Sequence, residues 1–175
     1  MSARLGDVVA TGTSIWLDDL SRERLIEAPN VISLSFLIKH EYVTGVTTNP
    51  IIFSQAISKS DLYSDEIKAL AKAGEDVESI ITKLTTDDVR NACDLFTGIH
   101  EKSNGIDGRV SIEVDPRLAR DTEGTIAAGK ELWAIIDRPN VMIKVPATIE
   151  GLPAITALIA AGISVNVTLI FSVKR

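Results

Sequence analysis

Asn140–Thr148 reads NVMIKVPAT, an apolar and β-branched run with the composition of a buried strand, interrupted by a single lysine, Lys144. An ammonium trapped under a helix layer would cost several kcal/mol, of order ~5, so this strand must offer Lys144 a polar side. Side chains alternate along a strand. Met142 and Lys144 therefore face one way, while Val141, Ile143 and Val145 face the other.

The same division recurs in four further strand candidates: TSIWLD (Thr13 to Asp18), GVTTN (Gly45 to Asn49), RVSIEV (Arg109 to Val114) and SVNVTLI (Ser164 to Ile170). Ser14, Trp16 and Asp18 oppose Ile15 and Leu17, and Gly45, Thr47 and Asn49 oppose Val46 and Thr48. Ser111 and Glu113 oppose Val110, Ile112 and Val114; Ser164, Asn166 and Thr168 oppose Val165, Val167 and Leu169. Each strand thus has an apolar or β-branched face suited to a helix layer, and a second face that turns polar, mostly toward its C-terminal end. An open doubly wound sheet would cover those polar groups with helices. A closed parallel β/α barrel instead gathers them in its lumen, near the C-terminal mouth where such barrels do their chemistry.

Helical patterns separate the strands, as right-handed parallel crossovers require. Ser21 can cap a short helix, and a second spans about Ile32 to Glu41. IIFSQAI, DLYSDEIKALAKA, EDVESIITKL and a helix holding Cys93 follow as four separate helices, and Pro116 opens a long one with Leu118, Thr122, Ile126, Leu132, Trp133 and Ile136 on a face. Eight strands close this kind of barrel in about 250 residues. The 175 residues supply five, so the expectation is a partial barrel domain over residues 1–175, a fragment of a longer protein that carries the remaining strands.

A net charge of −6 and a pI near 4.9 argue against nucleic acid and anionic membranes as partners, since both call for a basic surface. The lone cysteine, Cys93, shares a helical face with Val89, Ala92, Phe96 and Ile99, which makes it a core residue. One cysteine and two separated histidines, His40 and His100, build neither a disulfide framework nor a zinc site, and a reducing, cytoplasmic setting is expected. MSARLGDVVATGT lacks the sustained apolar core of a secretory signal. Gly151 to Val173 has no charged residue, yet Pro153, Gly162, Asn166 and Thr168 divide it into a buried helix, a glycine stop and a strand rather than a membrane span. No feature of the sequence specifies an oligomeric state.

Lys144 has two readings: one half of a buried structural ion pair, or an amine nucleophile. A desolvated lysine gives up its proton more readily, and its lone pair can then attack a carbonyl to form a Schiff base. That chemistry moves protons at several steps, and two carboxylates, Asp18 and Glu113, end strands on the same face. Thr47, Asn49, Asn166 and Thr168 add uncharged donors and acceptors suited to the hydroxyls of a sugar.

GVTTNP (Gly45 to Pro50), SIEVDPRLARD (Ser111 to Asp121), MIKVPAT (Met142 to Thr148) and NVTLIFS (Asn166 to Ser172) resemble the transaldolases, and WLDDLSRERL (Trp16 to Leu25) resembles the start of their actinobacterial-type branch. The resemblance covers nearly the whole chain and implies a (β/α)8 TIM barrel of the class I aldolase type, here truncated after about the fifth strand. It implies a Schiff-base lysine on the fourth strand, the strand that holds Lys144. It further implies transfer of a dihydroxyacetone unit between phosphorylated sugars, from sedoheptulose 7-phosphate to glyceraldehyde 3-phosphate, with no metal or organic cofactor. By the same resemblance Glu113 activates the catalytic water with help from Thr168, Asp18 is the acid/base of C–C cleavage, and Asn49 and Asn166 hold the three-carbon unit, with Thr47 a weaker contributor. Ile51 replaces the serine common after TTNP in that family. The arginines and serines that grip the phosphate there come after the fifth strand, so the fragment alone is expected to be inactive and its full-length parent active.

Overall fold

The computed structural model describes residues 3–28 and 30–174; Met1, Ser2, Pro29 and Arg175 lie outside the described residues. All five predicted strands form: β1 (Ile15–Leu17), β2 (Val43–Thr47), β3 (Arg109–Glu113), β4 (Val141–Pro146) and β5 (Val165–Thr168). They pair in sequence order, each parallel to the next. β5 stops at Thr168, short of the expected Ile170, because Leu169 adopts a left-handed backbone at φ 65° that no strand continues.

The helices that connect them are α1 (Ala3–Ala10), α2 (Arg22–Leu25), α3 (Leu34–His40), α4 (Pro50–Lys59), α5 (Ser64–Lys72), α6 (Val77–Lys102), α7 (Thr122–Ile136) and α8 (Gly151–Ala160). Two of them correct the sequence reading. The EDVESIITKL segment and the Cys93 segment are one helix, α6, of 26 residues. Its β-branched pair Thr85 and Thr86 is accommodated by turning both hydroxyls back onto the preceding turn, at 2.9 Å to the Ile81 carbonyl and 2.7 Å to that of Thr82. Pro116, for its part, opens only a single 3-10 turn, Pro116–Leu118. The long helix starts later, at an Asp121 cap whose Oδ1 accepts from the Gly124 N–H at 3.0 Å. The second half of the expected face holds, with Ile136 buried and Leu132 and Trp133 packed against the core, while in its first half Thr125 and Gly129 are the buried positions in place of Leu118, Thr122 and Ile126. α1 had no counterpart in the sequence reading.

Strand parity holds. Val46, Val110, Ile112, Val114, Val141, Ile143 and Val145 form one core with Leu34 of α3, Val89, Ala92, Cys93 and Phe96 of α6, Ile136 of α7 and Leu158 of α8. The apolar faces thus lie under helices, and the faces that hold Thr47, Glu113, Lys144 and Asn166 lie on the other side. Gly129 lets α7 approach closely, since a Cβ there would sit 2.9 Å from Leu158. On the inner face Trp16 covers Gly45, where a Cβ would come within 2.5 Å of the indole. A small β2 residue is what lets the β1 indole lie flat inside the curve.

The sheet curls. Asn166 on β5 reaches Ser111 on β3 at 3.1 Å, across β4, and the Lys144 ammonium on β4 reaches the Thr48 carbonyl just past β2 at 3.2 Å, across β3. Strands two apart in a flat sheet lie about 10 Å apart, so these contacts need a concave inner surface. The chain is five consecutive strands, with their intervening helices, of a (β/α)8 barrel. The stretch that imitated a membrane span is α8, a turn at Gly162 with φ 81°, and β5. Among the described residues no helix is long and apolar enough to cross a membrane.

Candidate active site

Parallel registry brings the inner-face residues together. Glu113 is paired across the ladder with Lys144, and Lys144 with Asn166. Three adjacent strands therefore present a carboxylate, an ammonium and an amide at one level. The Lys144 Nζ lies 3.2 Å from Glu113 Oε2, and the two side chains are only 12% and 13% exposed. Nζ also donates to the Thr48 carbonyl at 3.2 Å. An ammonium has three protons, and these contacts engage two. The remaining direction is where a substrate carbonyl can approach.

Beneath the ion pair runs a chain of side-chain hydrogen bonds. Asn166 Nδ2 donates to Ser111 Oγ at 3.1 Å, and Ser111 Oγ donates to Thr47 Oγ1 at 3.1 Å. Two of the predicted residues are thus joined by a third, Ser111, which shared the polar parity with Glu113 but drew no attention as a short neutral side chain. Thr48 was missed as well, because it contributes through its carbonyl while its side chain lies on the opposite face. Its hydroxyl donates to the Ser111 carbonyl at 2.8 Å and locks the end of β2 against β3.

Asn49 sits where β2 runs into α4, and its Oδ1 caps that helix by accepting from the Ile52 N–H at 3.0 Å. The cap orients the side chain and leaves its amide protons for a ligand. Ile51, the departure from the motif, is 68% exposed on the first turn of α4, so it alters no core packing. Thr168 is paired with Pro146, two ladder positions past the Lys144–Asn166 pair and so on the same face, and its carbonyl accepts from the Ala147 N–H at 2.9 Å. Asp18 follows the last residue of β1 and is exposed. It lines a cleft of about 720 Å³ with Asp19, Ser21, Arg24, Gln55 and Lys59, at the mouth end of β1 and α4. The structure therefore unites Lys144, Glu113, Ser111, Thr47 and Asn166 in one contact network, and places Asp18, Asn49 and Thr168 at strand ends around it.

A family model described as Transaldolase/Fructose-6-phosphate aldolase matches residues 15–175, which include every one of these positions. The chain belongs to this family. Among its relatives, a protein named Transaldolase from Mycolicibacterium smegmatis is 58% identical over 171 residues, which cover 98% of this chain and 45% of that protein. The Transaldolase of Acidothermus cellulolyticus is 54% identical over 175 residues, 100% of this chain and 46% of its own length. That of Mycobacterium tuberculosis is 57% identical over 171 residues, 98% of this chain and 45% of its own length. The chain thus spans somewhat less than half the length of these transaldolases, and the part it spans contains the strand that carries Lys144.

Proposed function

We propose that this chain carries the Schiff-base half of a cytoplasmic transaldolase of the pentose phosphate pathway, which transfers a dihydroxyacetone unit from sedoheptulose 7-phosphate to glyceraldehyde 3-phosphate. The observation that supports it best is the Lys144–Glu113 pair, 3.2 Å apart on the inner face with ammonium capacity to spare, in a chain of this family. Lys144 loses its proton and attacks the ketone, and loss of water from the carbinolamine gives an iminium. Asp18 takes the proton of the hydroxyl beside the scissile bond as that bond breaks. The released electron pair runs into the iminium and leaves an enamine on Lys144, which then attacks the acceptor aldehyde. Glu113 with Thr168 orients the water lost and regained. Asn49 and Asn166, with Thr47, hold the three-carbon unit. The protonated imine is the electron sink, so the scheme calls for neither metal nor organic cofactor.

The phosphate anchor belongs to segments outside these residues, so turnover is proposed for a protein that carries all eight barrel units. The family description also names fructose 6-phosphate aldolase, and an aldolase built on the same imine would release the three-carbon unit instead of passing it on. Both differ from a purely structural Lys144–Glu113 pair. Full-length protein incubated with fructose 6-phosphate and sodium borohydride should carry a reduced adduct on Lys144, located by peptide mass spectrometry. No adduct on any lysine would leave the pair structural. Formation of sedoheptulose 7-phosphate when erythrose 4-phosphate is supplied separates the transferase from the aldolase.

A further inference from the structure

Asp18 is the acid/base of the scheme above, yet its side chain has no hydrogen-bond or ion-pair partner among the described residues. Whatever fixes its carboxylate must therefore act through the backbone. β1 is a weak support, three residues long and out of register with β2 between Ile15 and Trp16. α2, which follows, is a four-residue turn, far below the length at which a helix holds itself together in water. The segment between them is fastened from the helix layer. Leu20 is fully buried, and the backbone N–H of Arg22, the first residue of α2, donates to the Tyr63 hydroxyl at 2.9 Å. Tyr63 is itself fully buried, in a cluster with Ile80 and Leu84 of α6, and its hydroxyl donates to Asp88 of α6 at 2.7 Å. Neither bond can reverse, since a backbone N–H only donates and a carboxylate only accepts. One phenol oxygen thus ties the backbone four residues after Asp18 to the 26-residue helix behind it.

We propose that Tyr63 is a positioning residue for Asp18: its hydroxyl pins the start of α2 to α6 and so sets where the Asp18 carboxylate stands at the mouth of the barrel. This rests on the Schiff-base reading of Lys144 and the acid/base role of Asp18. Tyr63 lies in the helix layer and touches no reacting atom. Its influence is specific to one step. The imine forms through Lys144 and Glu113, and Asp18 enters only when the C–C bond breaks. A loosened Asp18 therefore slows cleavage and spares imine formation. Misplacing a reacting group by about 1 Å is enough to lose about 10²-fold in rate.

The test uses the full-length protein and Tyr63→Phe, which removes one oxygen and leaves the ring under the Arg22 guanidinium. Borohydride trapping with dihydroxyacetone reads imine formation without any C–C cleavage. Release of glyceraldehyde 3-phosphate from fructose 6-phosphate in a single turnover reads the cleavage itself. Tyr63→Phe should slow cleavage about tenfold and leave the rate of Lys144 labelling unchanged. In an Asp18→Asn background the same substitution should change cleavage less than about twofold, because it acts through Asp18. Glu66→Gln, which loosens the partly exposed end of the Arg22 guanidinium, should slow cleavage by a smaller factor, again with labelling unchanged. A thermal midpoint identifies any variant that fails to fold, and if Tyr63→Phe is one, Glu66→Gln decides by the same two readouts. Unchanged cleavage, equal losses in cleavage and labelling, or the full loss persisting without the Asp18 carboxylate would each overturn the role of Tyr63 and leave the Schiff base standing. No label on any lysine of the unsubstituted protein overturns the Schiff-base reading, and undiminished cleavage by Asp18→Asn overturns the role of Asp18; either result removes this assignment with it.

Discussion

A shielded cation–carboxylate pair in the helix layer and another on the inner face of the sheet are finished to different degrees. In the helix layer, Arg22 of α2 donates from Nε to Asp88 of α6 at 3.1 Å, from a terminal nitrogen to Glu66 at 2.5 Å and from the other to the Leu62 carbonyl at 3.1 Å. Tyr63 donates to the second Asp88 oxygen at 2.7 Å and accepts from the Arg22 backbone N–H at 2.9 Å, while the guanidinium lies 4.5 Å over its ring. Burial raises the affinity of Asp88 for its proton, and the Tyr63 and Arg22 hydrogen bonds pull against it. Burial also pushes the Tyr63 phenol well up, with the neighbouring Asp88 acting in the same direction. On the inner face, Lys144 has two partners and a proton direction in reserve. Saturation is what a structural pair needs to offset its desolvation, and unsaturation is what a reacting amine needs.

Lys144→Met strikes the unsaturated pair. It should abolish the borohydride adduct and reduce turnover of the full-length protein on the order of 10⁴-fold, as loss of a covalent nucleophile does. Its cost in stability should stay well below that of breaking the saturated pair, because Glu113 is left facing the lumen. An equal cost in urea denaturation would make both pairs structural and erase the contrast. Asp88→Ala strands a guanidinium and a phenol together, and should destabilise the fold by about 3–5 kcal/mol by the same measurement. Glu113→Gln keeps the shape of the inner pair and removes its charge, so it should slow turnover about 10²-fold with a small shift in the urea midpoint.

The smallest effect is a difference in acid response between neighbours. Asp87 is raised by burial but lowered further by hydrogen bonds from Lys83 and Arg90, so its net shift is downward, whereas that of Asp88 is upward. A lowered carboxyl contributes stability above its unfolded pKa and loses it as pH falls through the folded value; a raised one has the opposite slope. Asp87→Asn should therefore flatten the fall of the thermal midpoint between about pH 5 and pH 2, discounted because Asp87 and its partners are partly exposed, and Asp88→Asn should not.

Legibility followed the range of the forces involved. The strands and their two faces could be read because alternation is a local property of an extended chain, and the core of Val46, Val110, Ile143 and their neighbours is that alternation made solid. Cys93 could be read for the same reason; it is fully buried and burial pushes its thiol up to about 12. The start of α7 was misplaced because Pro116 and Asp121 are both valid helix openings, and choosing between them depends on how the intervening turn packs, with Thr125 Oγ1 donating to the Leu118 carbonyl at 3.0 Å. The continuity of α6 was not legible, since it runs through the adjacent β-branched Thr85 and Thr86, whose hydroxyls bond back to carbonyls within the helix.

NVMIKVPAT by itself determined that Lys144 lies on the polar side of a strand otherwise made for a core, since the two-residue period of a strand leaves no other face for it. What that lysine meets was decided by the tertiary structure alone. Thr48 and Glu113 come to it, and Ser111 joins Thr47 to Asn166, only because the sheet curves enough for strands that are not neighbours to touch. Curvature is a property of five strands twisted together against a helix layer, and no single strand encodes it.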